Sequence, residues 1–247
     1  MNKGVVVKKA IIFGASGGIG SELSRLLKKA GWSLCLAGRN AERLEQLSFE
    51  LEERYSICDL KDPESVERFF QSEPWDKTEC GAVVVAVGSI LLKPVHLTSI
   101  EEWRDCISTN LDSAFFVLRA ALKAKRPKDL QFLFFSSVAG SIGLKNHEAI
   151  ASAKAGLEGL VRSAAASYAK QSVRINAIAP GLVKTPLSAR LTKSAQSLEA
   201  SEAMHPLGRI GEASEVAHLA AYMLSPDNSW MTGQIIHLDG GMSTLRA

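Results

Sequence analysis

The sequence predicts an α/β fold of three layers, in which a parallel seven-stranded sheet is covered by helices on both faces. Short apolar runs alternate with longer amphipathic segments, which is the pattern of successive βαβ units. Runs such as AVVVAV and QFLFF lack the polar alternation of a half-exposed strand, as expected when helices cover both faces. No linker or low-complexity tract divides the chain, so one domain spanning residues 1–247 is expected.

The elements can be placed along the chain from composition and period. Seven runs have the composition of strands, and six segments repeat apolar residues with the helical period. Strands are expected at 9–13, 33–37, 55–58, 82–87, 130–135, 173–178 and 234–238, and helices at 18–30, 41–53, 63–71, 100–125, 148–169 and 213–224. The segment 187–206 breaks this alternation, is rich in Ser, Ala, Lys and Glu, and is predicted to form a mobile helical lid.

Composition and charge argue against several classes of protein. Hydrophobic residues make up 46% of the chain and charged residues 22%, which is enough for a core without disulfides or metal ions. The net charge of +3 comes from scattered basic residues, so nucleic-acid binding is not expected. The four cysteines lie far apart without a C-x-x-C spacing, which argues against a metal site and a disulfide framework; they are Cys35, Cys58, Cys80 and Cys106.

Membrane and export segments are not expected either. The longest apolar stretch, 81–92, is too short to span a bilayer. Lysines interrupt the apolar N-terminus MNKGVVVKKAIIFG, which therefore does not have the pattern of a signal peptide. We expect a cytoplasmic protein with no membrane partner.

A glycine-rich turn follows the first predicted strand. The sequence Gly14-Ala-Ser-Gly-Gly-Ile-Gly20 leads directly into the first predicted helix. Glycines allow a tight turn and the approach of backbone N–H groups to a phosphate, and the helix directs its positive end at the pyrophosphate of a dinucleotide. The spacing is G-x-x-x-G-x-G rather than G-x-G-x-x-G. Its place between a strand and a helix favours the dinucleotide site of a Rossmann fold over a turn without a ligand.

The turn and the motifs after it resemble the single-domain, 3-oxoacyl reductase-like branch of the short-chain dehydrogenase/reductase family. The resemblance runs from about residue 10 to residue 241, with its motifs in the family's order. They are Asp59 in CDL, Asn110 in STNLDSAFF, Ser137 in FFSSVAG, Lys154 in ASAKAG, Pro180 and Gly181 in RINAIAPG, Thr185 in PGLVKT, and the ending TGQIIHLDGG. The family's N-N-A-G after the fourth strand is VAVG here, so a hydrophobic substitute is expected for the lost asparagine.

The resemblance implies a site for a nicotinamide dinucleotide. The residues implied to hold it are Gly14, Ser16, Gly18, Ile19, Gly20, Arg39, Asp59, Leu60, Val87, Gly88, Lys154, Pro180, Gly181, Val183 and Thr185. Gly38 stands where NAD-preferring sites usually place a carboxylate for the ribose 2′-OH, and Arg39 follows it. A guanidinium can bind a 2′-phosphate, so NADP(H) is preferred, with NAD(H) possible. Arg39 could otherwise be a solvent-exposed residue at a helix start, and Gly17 stands where many NADP-dependent members carry Arg or Lys.

The resemblance also implies catalytic roles for Asn110, Ser137 and Lys154, but their usual partner is missing. In the family a tyrosine four residues before the lysine exchanges the proton, because this spacing puts both on one helix face. That position is Ile150. The spacing from Ser137 is typical of the family, so no insertion hides a tyrosine, and Tyr168 would lie about 20 Å further along the helix.

Three explanations of this gap stay open. His147 could donate the proton, although a loop position at the pocket rim is favoured for it. Ser137, Lys154 and water could suffice for an activated substrate, such as a conjugated alkene or an iminium. Alternatively, the domain binds NADP(H) without turnover, as a sensor or scaffold. The joint presence of Asn110, Ser137 and Lys154 favours an enzyme, although these could also be a helix-bridging amide, a strand-end cap and a ribose anchor.

Substrate and assembly are predicted from the loops and the small-residue faces. The segments 140–148, 90–95 and 187–205 should form the pocket walls. Ile142, Leu144, Leu187 and Leu191 suggest an apolar, acyl-like or lipid-like small molecule, although simple packing would explain them equally well. The predicted helices 100–125 and 148–169 carry small residues that allow close packing, and in the family such faces form subunit interfaces. A homotetramer is therefore expected.

Overall fold

A parallel sheet of seven strands forms the centre of the structure, a computed structural model that describes residues 8–72, 81–124 and 129–245. The sheet has the strand order β3-β2-β1-β4-β5-β6-β9. A second sheet pairs only β7 with β8. The strands are β1 (Lys9–Phe13), β2 (Ser33–Gly38), β3 (Arg54–Ile57), β4 (Gly81–Val85), β5 (Gln131–Phe135), β6 (Arg174–Pro180), β7 (Val183–Lys184), β8 (Gly211–Glu212) and β9 (Ile235–Leu238).

Helices connect the strands and cover both faces of the sheet. They are α1 (Gly18–Lys29), α2 (Ala41–Leu51), α3 (Pro63–Ser72), α4 (Ile100–Ile107), α5 (Ser113–Lys123), α6 (Glu148–Tyr168), α7 (Ala195–Glu202) and α8 (Ala213–Leu224). A π-helical turn, Ser108–Asp112, joins α4 to α5. The predicted three-layer Rossmann-type α/β fold is confirmed.

Two apolar layers form the core, one on each face of the sheet. On one face, alternate residues of β1 and β4 such as Phe13 and Val85 pack with α3, α5 and α6. On the other face, Ile12 and Val84 pack with α1, α2 and α8. Val85 is 3% exposed, so a buried hydrophobic residue does occupy the place of the family's asparagine.

The strand order reverses between β1 and β4, and this reversal positions the site. From β1 the chain runs outward to β2 and β3, then returns to β4 on the other side of β1. The loops that follow β1 and β4 therefore lead in opposite directions. A crevice opens at the carboxyl ends of these strands, where open α/β sheets bind their ligands.

The bounds of most predicted helices and strands lie within two residues of the observed bounds. The main difference is the helix expected at 100–125. A π-turn divides it, because five residues at Ser108–Asp112 adopt the wider helical form. Its predicted end at Lys125 lies outside the described residues, as does Cys80. Within the segment 187–206 only Ala195–Glu202 is α-helical. In the described part of the chain, no helix has the length and apolarity needed to cross a membrane.

Candidate active site

The turn after β1 forms a backbone cradle at the start of α1. Gly14 has φ +77°, and a methyl carbon on it would lie 2.5 Å from the Ala86 carbonyl oxygen. Gly18 faces Thr185, whose methyl carbon would lie 2.8 Å from a methyl carbon on Gly18. A side chain at either position would collide with the opposite wall. The turn therefore leaves backbone N–H groups open to a phosphate, as a dinucleotide requires.

Gly20 has a different role from the one that the resemblance implies. It is buried and does not border the groove. A methyl carbon on it would lie 2.2 Å from the Gly14 carbonyl oxygen. Gly20 therefore allows the turn to pack onto the first turn of α1, and its contribution to cofactor binding is indirect.

A groove of about 300 Å³ crosses the carboxyl ends of β1, β2 and β4. It begins at Arg39, which is exposed after β2. Among the residues that the structure describes, the Arg39 guanidinium has no carboxylate partner. Neighbouring Asn40 accepts a hydrogen bond from the Arg43 N–H at 2.9 Å and caps α2. The groove therefore offers a free cation beside a helix start, with no carboxylate at Gly38, and these residues fit a phosphorylated ribose.

The middle of the groove has the size and polarity for an adenosine moiety. Its walls are formed by residues that follow β1, β3, β4 and β7: Ser16, Gly18, Ile19, Asp59, Leu60, Val87, Gly88 and Thr185. One Asp59 carboxylate oxygen accepts a hydrogen bond from the Lys61 N–H at 3.0 Å, which fixes the turn after β3. Lys61 also borders the groove and pairs with Asp105. Sequence reasoning missed Lys61, because nothing local indicates that this exposed lysine faces the groove.

The groove continues into a cavity of about 160 Å³ that holds the catalytic candidates. Asn110, Ser137, Ile150 and Lys154 all border it, together with Pro180, Gly181, Val183 and Thr185. Residues 110, 137 and 154 come from a helix junction, a strand end and a long helix. The fold thus brings together the residues that the resemblance implies. It also places them at the inner end of the same groove.

Ser137 is held where β5 ends and a short 3₁₀ turn begins. The Ala139 N–H donates a hydrogen bond of 3.2 Å to Ser137 Oγ. The preceding Ser136 hydroxyl donates at 2.8 Å to the buried Glu158 carboxylate of α6. A methyl carbon on Gly140 would lie 2.9 Å from Glu158 Oε1, so this loop packs closely against α6. The Ser137 hydroxyl is therefore fixed at the cavity.

The π-turn presents Asn110 to the same cavity. The Asn110 side chain is 2% exposed, and its amide donates to Ser89 Oγ and to the Cys106 carbonyl, both at 2.9 Å. Its Oδ1 accepts from the Ser89 N–H at 3.1 Å. A methyl carbon on Gly88 would lie 3.1 Å from Asn110 Oδ1 and 3.6 Å from Lys154 Nζ. π-Turns inside helices occur frequently at functional sites, and this one ties the loop after β4 to the cavity wall.

Lys154 is a buried amine without a carboxylate partner among the described residues. Its side chain is 6% exposed, and Nζ donates to the Phe135 carbonyl oxygen at 2.7 Å. Burial disfavours the charged form and lowers the pKa of Lys154 to about 8. The amine is therefore mostly protonated near neutral pH, but it is a stronger acid than an exposed lysine.

Ile150 takes the position one turn before Lys154. Its side chain is 5% exposed and packs in an apolar cluster with Cys106, Ala149 and Leu91. None of the three tyrosines borders the groove or either cavity, because Tyr55 is on β3, Tyr168 ends α6 and Tyr222 is on α8. The reacting end of the site therefore has no phenol.

An apolar pocket of about 360 Å³ adjoins the catalytic cavity and shares Ile90, Ser137, Ile150, Gly181 and Leu182 with it. The three predicted wall segments contribute Ile90, Leu92, Leu144, His147, Leu191, Met204 and His205. Lid residues Ser197, Ala200 and Ser201 of α7 close one side, and Met242 was missed by sequence reasoning. Of the described residues that line this pocket, none is Asp, Glu, Lys or Arg.

Two of the four apolar residues expected in this pocket lie elsewhere. Ile142 does not border it. Leu187 borders the cofactor groove and the catalytic cavity instead. The chain between Thr185 and Leu187 crosses over the start of α1, close to Gly18, which directs Leu187 to the cofactor side.

Two histidines border the apolar pocket, and they differ in how many of their ring nitrogens are hydrogen-bonded. His147 immediately precedes α6, and its Nδ1 donates to the Lys145 carbonyl oxygen at 2.7 Å, which leaves Nε2 without a protein partner in the part of the chain described. His205 is buried. Its Nδ1 donates to the Ser201 carbonyl oxygen at 2.8 Å, and its Nε2 accepts from the Leu182 N–H at 3.1 Å. The sequence analysis expected His205 only as part of a pocket wall, but its two hydrogen bonds also connect α7 to the loop after β6.

Comparison with known proteins agrees with this arrangement. The sequence profile of a family described as "Enoyl-(Acyl carrier protein) reductase" matches residues 14–243. A 3-oxoacyl-[acyl-carrier-protein] reductase FabG of Rickettsia felis is 32% identical over 95% of this chain and 96% of its own length.

Solved structures are similar along nearly the whole chain. A short-chain type dehydrogenase/reductase from Mycobacterium ulcerans has a TM-score of 0.90 and 30% identity, covering 97% of this chain and 90% of that one. Actinorhodin polyketide ketoreductase with NADPH has a TM-score of 0.90 and 25% identity, covering 97% and 98%. The fold, the glycine cradle and these similarities together show that the chain belongs to the short-chain dehydrogenase/reductase family of oxidoreductases.

Proposed function

We propose that this protein is an NADP(H)-dependent reductase of a small or acyl-like apolar substrate, and that it delivers the proton without a tyrosine. One observation carries the proposal. The groove that begins at Arg39 leads without interruption to Ser137 and Lys154, and there it opens into a pocket with no charged lining residue. A dinucleotide and a neutral apolar molecule could therefore meet at these two side chains.

The preference for NADP(H) rests on Arg39. A 2′-phosphate placed after β2 would meet this guanidinium, while the neighbouring Gly38 presents no carboxylate to repel it. NADPH in the related ketoreductase structure supports the same preference. NAD(H) lacks the phosphate and would forgo this contact.

The bound cofactor would supply a hydride to the substrate carbon. Around the cofactor, each of the chain's own residues has a different role. Thr185 closes the groove over Gly18, and Lys154 lies where it can hold a ribose hydroxyl. Ser137 can donate a hydrogen bond to the reacting oxygen. Ile150 and the surrounding apolar walls exclude water.

An activated substrate fits this site better than a simple ketone. Without a phenol, we assign contact with the reacting oxygen to the hydroxyl of Ser137 and the amine of Lys154, which border the catalytic cavity together with Ile150. Losing a positioned acid typically costs about 10²–10⁴-fold in rate. A conjugated alkene or an iminium is already electron-poor and requires less help. The family description of an enoyl reductase supports a conjugated alkene. The FabG relative, a 3-oxoacyl reductase, supports only the acyl-like character of the substrate.

Turnover of a matched substrate panel with NADPH tests this proposal. The panel pairs each α,β-unsaturated acyl thioester or enone with its 3-oxo or saturated ketone analogue. We expect faster reduction of the unsaturated member of each pair. Equal or faster reduction of simple ketones would contradict the role given to Ile150.

A second candidate is a catalytically silent NADP(H)-binding sensor or scaffold. The close packing of Ile150 with Cys106 and Leu91 favours it, because an apolar residue fills the position of the proton donor. Tight NADPH binding without turnover of any panel member, in both directions of reaction, would support this candidate over the reductase.

We further propose a cytoplasmic homotetramer. The face formed by α5 and α6 has a concave apolar surface that includes Phe115, Leu118, Leu160 and Tyr168, and Phe115 is 47% exposed in the single chain. Closed symmetric assemblies usually bury such faces. Sedimentation equilibrium tests the assembly, and a monomer at micromolar concentration would contradict it.

A further inference from the structure

We propose that Lys154 is itself the acid that protonates the reacting oxygen of the substrate, in the place of the missing tyrosine. The inference rests on the proposed reductase function. It assigns to one residue the proton that the function requires, and it starts from how Ile150, Ser137 and Lys154 are arranged around one cavity.

The helix face at the site leaves the amine accessible. Ile150 and Lys154 lie four residues apart on α6, so their side chains project from the same face. An isoleucine side chain has no hydroxyl, so residue 150 does not engage any N–H donor of the Lys154 amine. Ser137, Ile150 and Lys154 border one cavity, and a substrate oxygen in that cavity would lie beside the amine.

The Lys154 ammonium group has more N–H donors than it has recorded hydrogen bonds. An ammonium group carries three N–H donors, and the structure records one hydrogen bond from Lys154 Nζ, to the Phe135 carbonyl oxygen at 2.7 Å. A ribose hydroxyl can accept a second. The third is then available to an oxygen in the cavity, close to the Ser137 hydroxyl.

Within residues 8–72, 81–124 and 129–245, no carboxylate pairs with the Lys154 amine. The π-turn and the loop after β4 present Asn110 and Ser89, which are bonded to each other, and α4 presents the Cys106 thiol, whose pKa is raised by burial. On α6 itself the Glu158 carboxylate accepts hydrogen bonds from Ser136 and Ser141. The end of β5 and the 180–183 segment contribute backbone and uncharged side chains. With its pKa lowered to about 8 by burial, Lys154 is mostly protonated near neutral pH and releases its proton readily.

The proton transfer balances without any further reactant. As the substrate carbon gains a hydride, its oxygen gains negative charge. One N–H bond of the ammonium group breaks, an O–H bond forms on the substrate, and a neutral amine remains. On a conjugated alkene this product is an enol, which becomes the saturated carbonyl compound by exchange with water. The amine then takes a proton from solvent.

Neither histidine is as well placed. His205 has both ring nitrogens engaged, with Ser201 and Leu182. His147 has a free Nε2, but it borders only the outer apolar pocket, whereas Lys154 borders the inner cavity where the cofactor groove ends. The cofactor groove leads to the cavity that Lys154 borders and His147 does not, so the amine is the better placed donor.

The test compares the wild type with Lys154→Arg and His147→Gln, using the best unsaturated substrate and NADPH. Arginine keeps the positive charge and the hydrogen bonds, but it does not release its proton at accessible pH. We expect kcat/KM of the wild type to fall about tenfold per pH unit above about pH 8. Lys154→Arg should bind NADPH within about threefold of the wild type, yet lose at least about 10²-fold in kcat and lose this limb of the profile. His147→Gln should keep the limb, whatever its KM.

A second measurement does not depend on turnover. In protein with ¹³Cε-labelled lysine, the resonance that disappears in Lys154→Arg should titrate near pH 8. A titration midpoint above about 10, as in free lysine, would overturn the role of Lys154. Loss of the limb in His147→Gln, or an unchanged limb in Lys154→Arg, would overturn it as well. Absence of turnover in the wild type would overturn the proposed function and this role together, so the two failures are distinguishable.

Discussion

Ile150 and Lys154 lie one turn apart on the same face of α6, and both border the cavity at which the Ser137 hydroxyl is fixed. This pair separates two tasks that a tyrosine and a lysine share elsewhere in the family. The lysine is retained, buried and held by the Phe135 carbonyl oxygen. The residue before it contributes only apolar surface. The proposed function therefore requires proton delivery without a phenol, and substitutions at each of the two residues test them separately.

Replacing Ile150 with tyrosine should restore ordinary carbonyl reduction. A phenol at this position would stand between the substrate and Lys154 and supply a strong hydrogen-bond donor. We expect the rate of simple ketone reduction with Ile150→Tyr to exceed that of Ile150→Phe by about 10²–10³-fold. Phenylalanine is the matched control because it adds the same ring to the cluster with Cys106 and Leu91, without the hydroxyl. Equal rates in the two variants would show that the position does not control proton delivery.

Removing the Arg39 side chain should weaken NADPH binding selectively. If the guanidinium binds the 2′-phosphate, Arg39→Ala should lose about 1.5–3 kcal/mol, or about 10–100-fold, in NADPH affinity and change NADH affinity little. Fluorescence titration of both nucleotides measures this. Lys170→Ala is the charge-matched control, since Lys170 is an exposed cation beyond the C-terminal end of α6. Equal losses for NADPH and NADH would contradict the assignment.

The free energy of unfolding should change with pH because Lys154 is buried in the folded protein. Its pKa is about 8 in the folded protein and about 10.5 when exposed, so between these values the unfolded chain binds more protons. The free energy of unfolding therefore carries a full penalty below about pH 8, which is relieved as the pH rises toward about 10. Relative to Lys154→Met, the wild type should gain about 2–3 kcal/mol over this range in urea unfolding. If the difference in free energy of unfolding between the wild type and Lys154→Met does not change with pH, the lowered pKa of Lys154 is contradicted.

The glycine turn predicts a steric effect that can be separated from helix propensity. In Gly20→Ala the added methyl group would lie 2.2 Å from the Gly14 carbonyl oxygen, so the turn has to shift. We expect a loss of about 2–3 kcal/mol in stability, despite the helix-favouring nature of alanine, together with weaker NADPH binding. Gly159→Ala is the matched control, because Gly159 also lies in a helix, α6. Its methyl group meets nothing within 4 Å, so its stability should equal that of the wild type or exceed it by up to about 1 kcal/mol.

The proposed tetramer predicts that a charge at Phe115 dissociates the assembly, whereas a charge at Phe49 does not. Phe115→Glu places a charge in the apolar surface between α5 and α6, so it should dissociate the tetramer in sedimentation velocity runs. Phe49→Glu makes the same change on α2, where the ring is 89% exposed, and should leave the assembly intact. Dissociation by both variants, or by neither, would argue against the α5/α6 face as the interface.

The sequence by itself determined the fold and the main motifs. The alternation of apolar runs and amphipathic segments, together with the glycine turn at Gly14, determines the parallel sheet, because a strand buried on both faces can be recognised from composition alone. The absence of a tyrosine at position 150 also follows from the sequence. This position lies four residues before Lys154, and residues i and i+4 share a helix face.

Only the tertiary structure decided how distant residues meet. It placed Leu187 on the cofactor side, Gly20 beneath the turn and His205 between the lid and the loop after β6. It also buried Lys154, and this burial lowers the pKa of the amine to about 8. These properties depend on the surroundings that several separate segments create around one side chain, and no local pattern in the sequence contains them.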